Sequence, residues 1–346
     1  MTSMKFEMIT TLEALAQKIS VDVESLGPVV EKYPFRVNSY FLDLAVQKGE
    51  ALLRQVIPDQ RELYDDTGME DPLSEDLHSP VPHLTHRYPD RVLFCVTYQC
   101  AVYCRFCTRK RKIGRMPELT DVDFEKGVEY IRKSKQVRDV LISGGDPLLL
   151  QEDRLEWLLR KLKEIPHVEC IRIGTRLPCT FPMAVTSRLT KIFKKVRPLY
   201  LNLHFNHPDE MTKASLSAIQ KLLDAGGILG NQTVLLKGIN DNADILSTLF
   251  RKLLSIGVRP YYLLQADLTL GTAHFRTRIE TGLAIMEQLR GFISGMAVPT
   301  YVVDLPGGGG KVPVLPEYVI QKTETQWVFR NYLNQKYVYP QPKETE

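Results

Sequence analysis

No stretch of this sequence is apolar for long enough to cross a membrane as a helix. The first residues, Met-Thr-Ser-Met-Lys-Phe-Glu, lack the apolar core of a secretory leader, so a soluble, cytoplasmic protein is expected. A dominant charge is missing as well. The 45 Lys and Arg against 41 Asp and Glu leave a net charge of +4, too mild a surplus to call for nucleic acid, although it suits small anionic ligands. Cysteine is scarce: there are six in 346 residues, and three of them fall close together. That distribution does not make a disulfide framework and fits a reducing compartment. With 44% hydrophobic and 25% charged residues the chain is not disordered, and its length can bury one large core or two modest ones.

The clustered thiols stand in Cys100-Ala-Val-Tyr-Cys104-Arg-Phe-Cys107, directly after the apolar run Val92–Thr97, which reads as a buried strand. Three thiols on one loop can converge on a metal centre. A closed structural zinc site takes four ligands, and no further Cys or His lies at ligand spacing. An iron–sulfur cluster held by three thiolates leaves one iron open to a non-protein ligand. A zinc loop with a distant fourth ligand and three unrelated thiols are the bland alternatives.

Residues 1–86 differ in character from the rest of the chain. Apolar residues recur at helical spacing over 9–19 and 42–56, with Pro28, Pro34 and the Asn38-Ser39 turn between them, which predicts a helical cap. His78, His83 and His86 are too irregularly spaced for a metal site and suit surface or packing roles. From Arg91 the pattern becomes regular. Strand-like runs occur at 92–97, 140–143, 169–173, 199–204, 229–236, 261–265 and 301–304. Amphipathic stretches at 123–132, 153–163, 182–195, 208–225, 243–257 and 280–294 separate them. Strands alternating with helices predict βαβ units around a parallel sheet, either doubly wound or closing into a barrel. Candidate functional residues at the ends of many different strands favour a barrel, whose site lies at that rim. Residues 312–346 read as an extension that wraps or is disordered.

Two glycine motifs fall at strand ends. Gly144-Gly145-Asp146-Pro147-Leu148 follows the second strand, where bare backbone can approach a ligand or simply make a βα turn. Asp304-Leu-Pro-Gly307-Gly308-Gly309-Gly310-Lys311 is not a phosphate-binding P-loop, because Leu305 stands at the first glycine position and Val312 follows the lysine. Four glycines before a lysine suit a backbone passing close to a ligand, or an amine that forms a Schiff base with pyridoxal 5′-phosphate (PLP). A flexible surface loop is the alternative.

The CxxxCxxC spacing after a strand resembles the signature of radical S-adenosylmethionine (SAM) enzymes. Together with GGDPL, His204-Phe-Asn-His207-Pro, Asn231-Gln232-Thr-Val-Leu-Leu and PGGGGK, all in that order, it resembles the lysine 2,3-aminomutase family across roughly residues 87–311. The resemblance implies an α/β fold, a partial (β/α)6 radical SAM barrel with an N-terminal helical region, divided as 1–86, 87–311 and 312–346. It implies a [4Fe–4S] cluster on Cys100, Cys104 and Cys107, SAM near Gly144, Gly145, Asp146, His204 and Gln232, and PLP on Lys311 with Arg87, Tyr88 and Arg91. Arg109 would take the substrate carboxylate, and Asp267 and Asp304 the side-chain ammonium of a cationic amino acid. Two neighbouring carboxylates repel, and a cation between them relieves that repulsion.

The implied reaction moves the α-amino group of L-lysine to Cβ. The same chemistry on arginine or ornithine, supply of β-lysine for modifying a translation elongation factor, and a non-catalytic zinc- or PLP-binding protein are the competing readings. An electron donor of flavodoxin or ferredoxin type is the implied protein partner, and a homo-oligomer is left open. Longer members of the family carry cysteines near the C-terminus that bind zinc, whereas this chain has none after Cys179.

Overall fold

Short apolar runs separated by amphipathic stretches set the sheet. In the computed structural model, which describes residues 6–342, the seven predicted strands form as β4 (Arg91–Thr97), β5 (Asp139–Gly144), β6 (Cys170–Thr175), β7 (Leu199–Leu203), β8 (Gly227–Leu235), β9 (Arg259–Gln265) and β10 (Thr300–Leu305). All seven run parallel, each beside its neighbour in sequence. Two antiparallel edges were not foreseen, β3 (Leu84–Tyr88) against β4 and β11 (Gly310–Pro313) against β10. The first falls in the proline- and histidine-rich segment, where turn signals mask a short edge strand. A divide between residues 86 and 87 runs through β3.

The helices cover the outside of the sheet. They are α5 (Asp121–Lys133), α6 (Glu152–Lys163), the short α7 (Leu177–Thr180), α8 (Ser187–Lys195), α9 (Lys213–Asp224), α10 (Ala243–Ser255) and α11 (Ile279–Leu289). Their starts are written in the sequence: Thr120, Thr186, Thr212 and Asn242 each accept a first-turn backbone N–H. Helix α6 buries Leu155, Leu158, Leu159 and Leu162 on one face, each contributing roughly 2 kcal/mol of apolar burial. Gly127 interrupts the apolar face of α5 because the Phe94 ring occupies its side-chain space, with Phe94 Cζ 2.3 Å from where a Cβ would stand. Six strand–helix units followed by a seventh strand make the partial barrel that the alternation predicts.

The nine-stranded sheet ends at β3 and β11, and side chains stitch these edges across the seam. Arg87 Nη2 on β3 donates to Asp304 Oδ1 at 3.2 Å, and the Tyr88 hydroxyl accepts the Lys311 backbone N–H at 2.8 Å.

The N-terminal region contains β1 (Met8–Ile9), α1 (Leu12–Ala16), α2 (Val23–Lys32), β2 (Val37–Asn38), α3 (Ser39–Lys48) and α4 (Glu50–Leu53). Pro28, read from sequence as a separator, lies inside α2. The cap shares one continuous apolar core with the barrel, including Leu15, Val29 and Phe41. Asn38 caps α3 through Phe41 N and also donates to the carbonyls of Ala101 and Thr180. The region is therefore tied to the cysteine loop.

The tail, expected to wrap or to be disordered, is ordered over its described residues. It folds as an antiparallel meander of β12 (Val319–Lys322), β13 (Gln326–Arg330) and β14 (Lys336–Pro340), docked on α11 by the Arg330–Glu287 ion pair.

Candidate functional site

Everything polar and unusual gathers at the C-terminal ends of the parallel strands. The cysteine loop leaves β4 and is fixed from three sides. Gly145 N donates to Thr97 O at 2.6 Å, Asp146 N to Gln99 O at 2.8 Å, and Arg105 N to Gln55 O at 2.8 Å. Arg105 and Lys110 both donate to the fully buried Glu62 of the N-terminal region. Breaking one partner of such a buried set is strongly destabilising, so the loop is a rigid platform.

The two glycines of GGDPL serve that platform. A Cβ on Gly144 would stand 2.3 Å from Thr97 O, and one on Gly145 would stand 2.2 Å from Gln99 O. The close approach that calls for glycine is to the cysteine loop's own backbone. Asp146 is buried and accepts from Thr175 Oγ1 at 2.7 Å, Arg176 N at 2.8 Å and Leu148 N at 3.1 Å; desolvation raises its carboxyl above the usual range.

Cys100, Cys104 and Cys107 border one cavity of about 300 Å³ with Gly145, Asp146 and His204. No three His, Cys, Asp or Glu side chains among the described residues converge to enclose a single metal ion. Thiols spread around a shared space suit a multi-iron cluster, in which each iron takes one thiolate. Burial pushes the Cys107 thiol up to about 11 and Cys100 well above its ordinary value. Thiols so placed become thiolates only when bound cations compensate the buried charge, which the irons of a cluster held by these three residues would do. Arg176 Nη1 donates to Cys104 Sγ at 2.7 Å. His204 is driven down to about 3 by burial, with the Arg176 charge adding, so it is neutral; its Nε2 meets Asn206 Oδ1 at 3.1 Å.

A second cavity of about 330 Å³ adjoins the first, bordered by Arg87, Tyr88, Arg91, Arg172 and Tyr262. Arg87 and Arg91 lie over the Tyr88 ring, 5.0 and 4.7 Å from its centroid. Arg109, Gln232, Asp304 and Lys311 border both cavities. The β10–β11 register pairs Asp304 with Lys311, so both side chains leave the same face of the hairpin and form an ion pair. The glycines make that hairpin possible: Gly307, Gly308 and Gly310 have φ of 70°, 84° and 87°, conformations that other residues resist. A row of arginines with an amine at its edge fits the anionic phosphate and the aldehyde of PLP.

Asp267, just past β9, accepts Thr108 Oγ1 at 2.6 Å and has no cationic partner among the described residues. Desolvation pushes its carboxyl up to about 6; the Asp304 charge adds to this, while Lys311 and Arg109 oppose it. Arg109 is engaged by Glu75, to which Nη2 donates at 2.6 Å.

The sequence reading missed Glu75, Arg172 and Arg176. Arg172 alternates with Ile171 and Ile173 in β6, a polar inward position that the pattern does signal. Arg176 immediately follows β6, where rim residues are expected. Glu75 stands in a polar stretch 34 residues before its partner, and nothing local marks it.

A thiol trio at the mouth of a partial barrel, beside a glycine-laced strand end, defines a radical SAM enzyme, and residues 94–249 match the Radical SAM superfamily. Residues 286–346 match the family described as Lysine-2,3-aminomutase. The chain is 46% identical over 341 residues to the L-lysine 2,3-aminomutase of Clostridium subterminale, covering 96% of this chain and 82% of that one. It is 44% identical to the L-lysine 2,3-aminomutase of Fusobacterium nucleatum subsp. nucleatum, covering 98% and 81%. It is also 42% identical to the glutamate 2,3-aminomutase of Clostridioides difficile, covering 91% and 76%. Among solved structures it is similar to Streptococcus suis SuiB bound to S-adenosylmethionine, with 12% identity, a TM-score of 0.48, and coverage of 63% and 51%.

The chain belongs to the lysine 2,3-aminomutase family. It is an isomerase that works with a [4Fe–4S] cluster, SAM and PLP. No helix among the described residues is long and apolar enough to cross a membrane.

Proposed function

We propose that this protein moves the α-amino group of L-lysine to Cβ, giving β-lysine. The observation that carries the choice of substrate is Asp267, a desolvated carboxyl without a cationic partner beside Asp304. Relatives named for lysine and for glutamate have similar identities, so overall likeness does not choose between them. An anionic side chain next to the Asp267 carboxylate is repelled, whereas an ammonium is held.

In this reading Cys100, Cys104 and Cys107 hold the cluster on the braced loop. Gly144, Gly145 and Asp146, with His204 and Gln232 across the cavity, line the SAM position. Arg87, Tyr88 and Arg91 hold the phosphate and ring of PLP, and Lys311 supplies its amine. SAM and the cluster supply the hydrogen-abstracting radical, and PLP carries the migrating nitrogen. The protein orients the substrate between these groups. Arg109 takes the carboxylate at the junction of the cavities, and Asp267 and Asp304 fix the far ammonium, which sets the distance of Cβ from the SAM position. Leu73, Leu93 and Leu141 border both cavities and keep water from the reacting carbons.

An electron donor of the flavodoxin or ferredoxin type is the protein partner that this chemistry would require. Six free thiols fit a reducing compartment such as the cytoplasm. The test is turnover by the anaerobically reconstituted protein on lysine, arginine, ornithine and glutamate. Lysine should have the highest kcat/KM, and a preference for glutamate would reverse the reading.

A further inference from the structure

Arg109 is oriented by the protein before any substrate arrives. Its Nε donates to both carboxylate oxygens of Glu75 at 3.0 Å, and its Nη2 donates to Glu75 Oε1 at 2.6 Å. The side chains are 16% and 8% exposed. This contact uses one edge of the guanidinium fork. Nη1 has no hydrogen bond to the described residues, yet it is not among the buried polar atoms left unpaired. It therefore reaches open space, and the residue borders both cavities.

Glu75 is itself fixed. Its N–H donates to Asp71 Oδ1 at 3.0 Å, and its carbonyl accepts Ser79 Oγ at 2.6 Å. Three residues earlier, Pro72 O accepts Gly307 N at 2.9 Å, which ties the segment to the hairpin that carries Lys311.

We propose that Glu75 is a positioning residue for recognition of the substrate carboxylate. It locks the Nε–Nη2 edge of Arg109 so that the Nη1–Nη2 edge meets an α-carboxylate in a set orientation. This rests on the reading of Arg109 as the carboxylate partner. Arginine carries considerable rotamer freedom, and a guanidinium that enters a partly desolvated cavity unpaired is costly. The glutamate removes both obstacles before substrate binds. A carboxylate then adds a charge-assisted fork contact to a side chain already in place.

The experiment measures KM and kcat for lysine in the reconstituted holoenzyme, and inhibition by L-lysine amide, which lacks the carboxylate charge. Glu75→Gln should raise the KM for lysine by about tenfold or more. Iron content, PLP absorbance and the inhibition constant of the amide should stay at their wild-type values. Glu75→Asp, which keeps the charge one methylene shorter, should fall between the two and reads the same quantity should the glutamine protein not fold. An unchanged KM in both variants overturns the proposal, and so does a lowered one, which would make Glu75 a competitor of the substrate. Arg109→Gln separates the two levels. If it raises the KM for lysine while Glu75→Gln does not, only the positioning role fails. If it leaves KM unchanged, the carboxylate reading of Arg109 fails and the positioning role goes with it.

Discussion

Replacing Asp267 by Asn tests the choice of substrate through a single charge. The amide oxygen can still accept the Thr108 hydroxyl that Asp267 accepts at 2.6 Å, so local geometry is kept while the negative charge goes. A charge-assisted contact to an ammonium is worth about 1.5–3 kcal/mol, or roughly ten- to a hundred-and-fifty-fold in kcat/KM. A pH signature accompanies the loss. The wild-type carboxyl sits near 6 because it is desolvated, with the Asp304 charge adding and Thr108, Lys311 and Arg109 opposing. A bound ammonium favours the ionised form, so kcat/KM for lysine should rise with pH through about 6 and then level off. In Asp267→Asn that rise should be absent.

The sign for stability is opposite. A carboxyl raised in the folded state stabilises the fold while protonated and loses that contribution as pH rises through about 6. The Asn protein should therefore melt no earlier than wild type at pH 8. The assay is anaerobic turnover of lysine and of glutamate across pH 5 to 9 for both proteins. If the variant keeps the wild-type kcat/KM for lysine, or loses as much for glutamate as for lysine, Asp267 does not receive the ammonium.

Cys104→Ala should lose iron and SAM cleavage, whereas Cys170→Ala, on the edge of β6 away from the cavity, should keep both; iron and sulfide analysis with 5′-deoxyadenosine detection decides. Lys311→Ala should lose the absorbance of protein-bound PLP and leave the iron content unchanged, and a borohydride-trapped adduct on another lysine would contradict it. Gly145→Ala should cost iron loading severely, because its Cβ would stand 2.2 Å from the Gln99 carbonyl and backbone on both sides cannot yield. Full iron content in that variant would show that the loop is less rigid than its hydrogen bonds imply.

The barrel was legible because its strands and helices carry their own periods. The run Val140–Ile142 is apolar throughout, and α6 repeats leucine at helical spacing; neither needs a distant partner to be recognised. Features that depend on distant partners were not legible. Pro28 reads locally as a breaker, yet it sits in α2 with Leu26 and Val29 packed into the shared core. The tail reads as wrapping or disordered because it is charged and carries prolines, and its strands are short and largely exposed. Trp327 and Phe329 do alternate in β13, but the pairing that makes them a sheet is between strands. The site divides in the same way. Cysteines, glycines and Lys311 stand in compact motifs, whereas the role of Glu75 exists only through Arg109 across the fold. A Cβ on either glycine of GGDPL would meet the cysteine loop's own backbone, a neighbour that the motif by itself does not name.

The most direct measurement follows the nitrogen. The reconstituted protein, given SAM, PLP, a reductant and L-lysine labelled with ¹⁵N at the α-amino group, is observed by NMR. The account predicts that the label appears on Cβ, with the ε-nitrogen unlabelled and the product requiring all three cofactors. A fully iron- and PLP-loaded protein that leaves the label on Cα, while shifting the amino group of a different amino acid or of none, would contradict it.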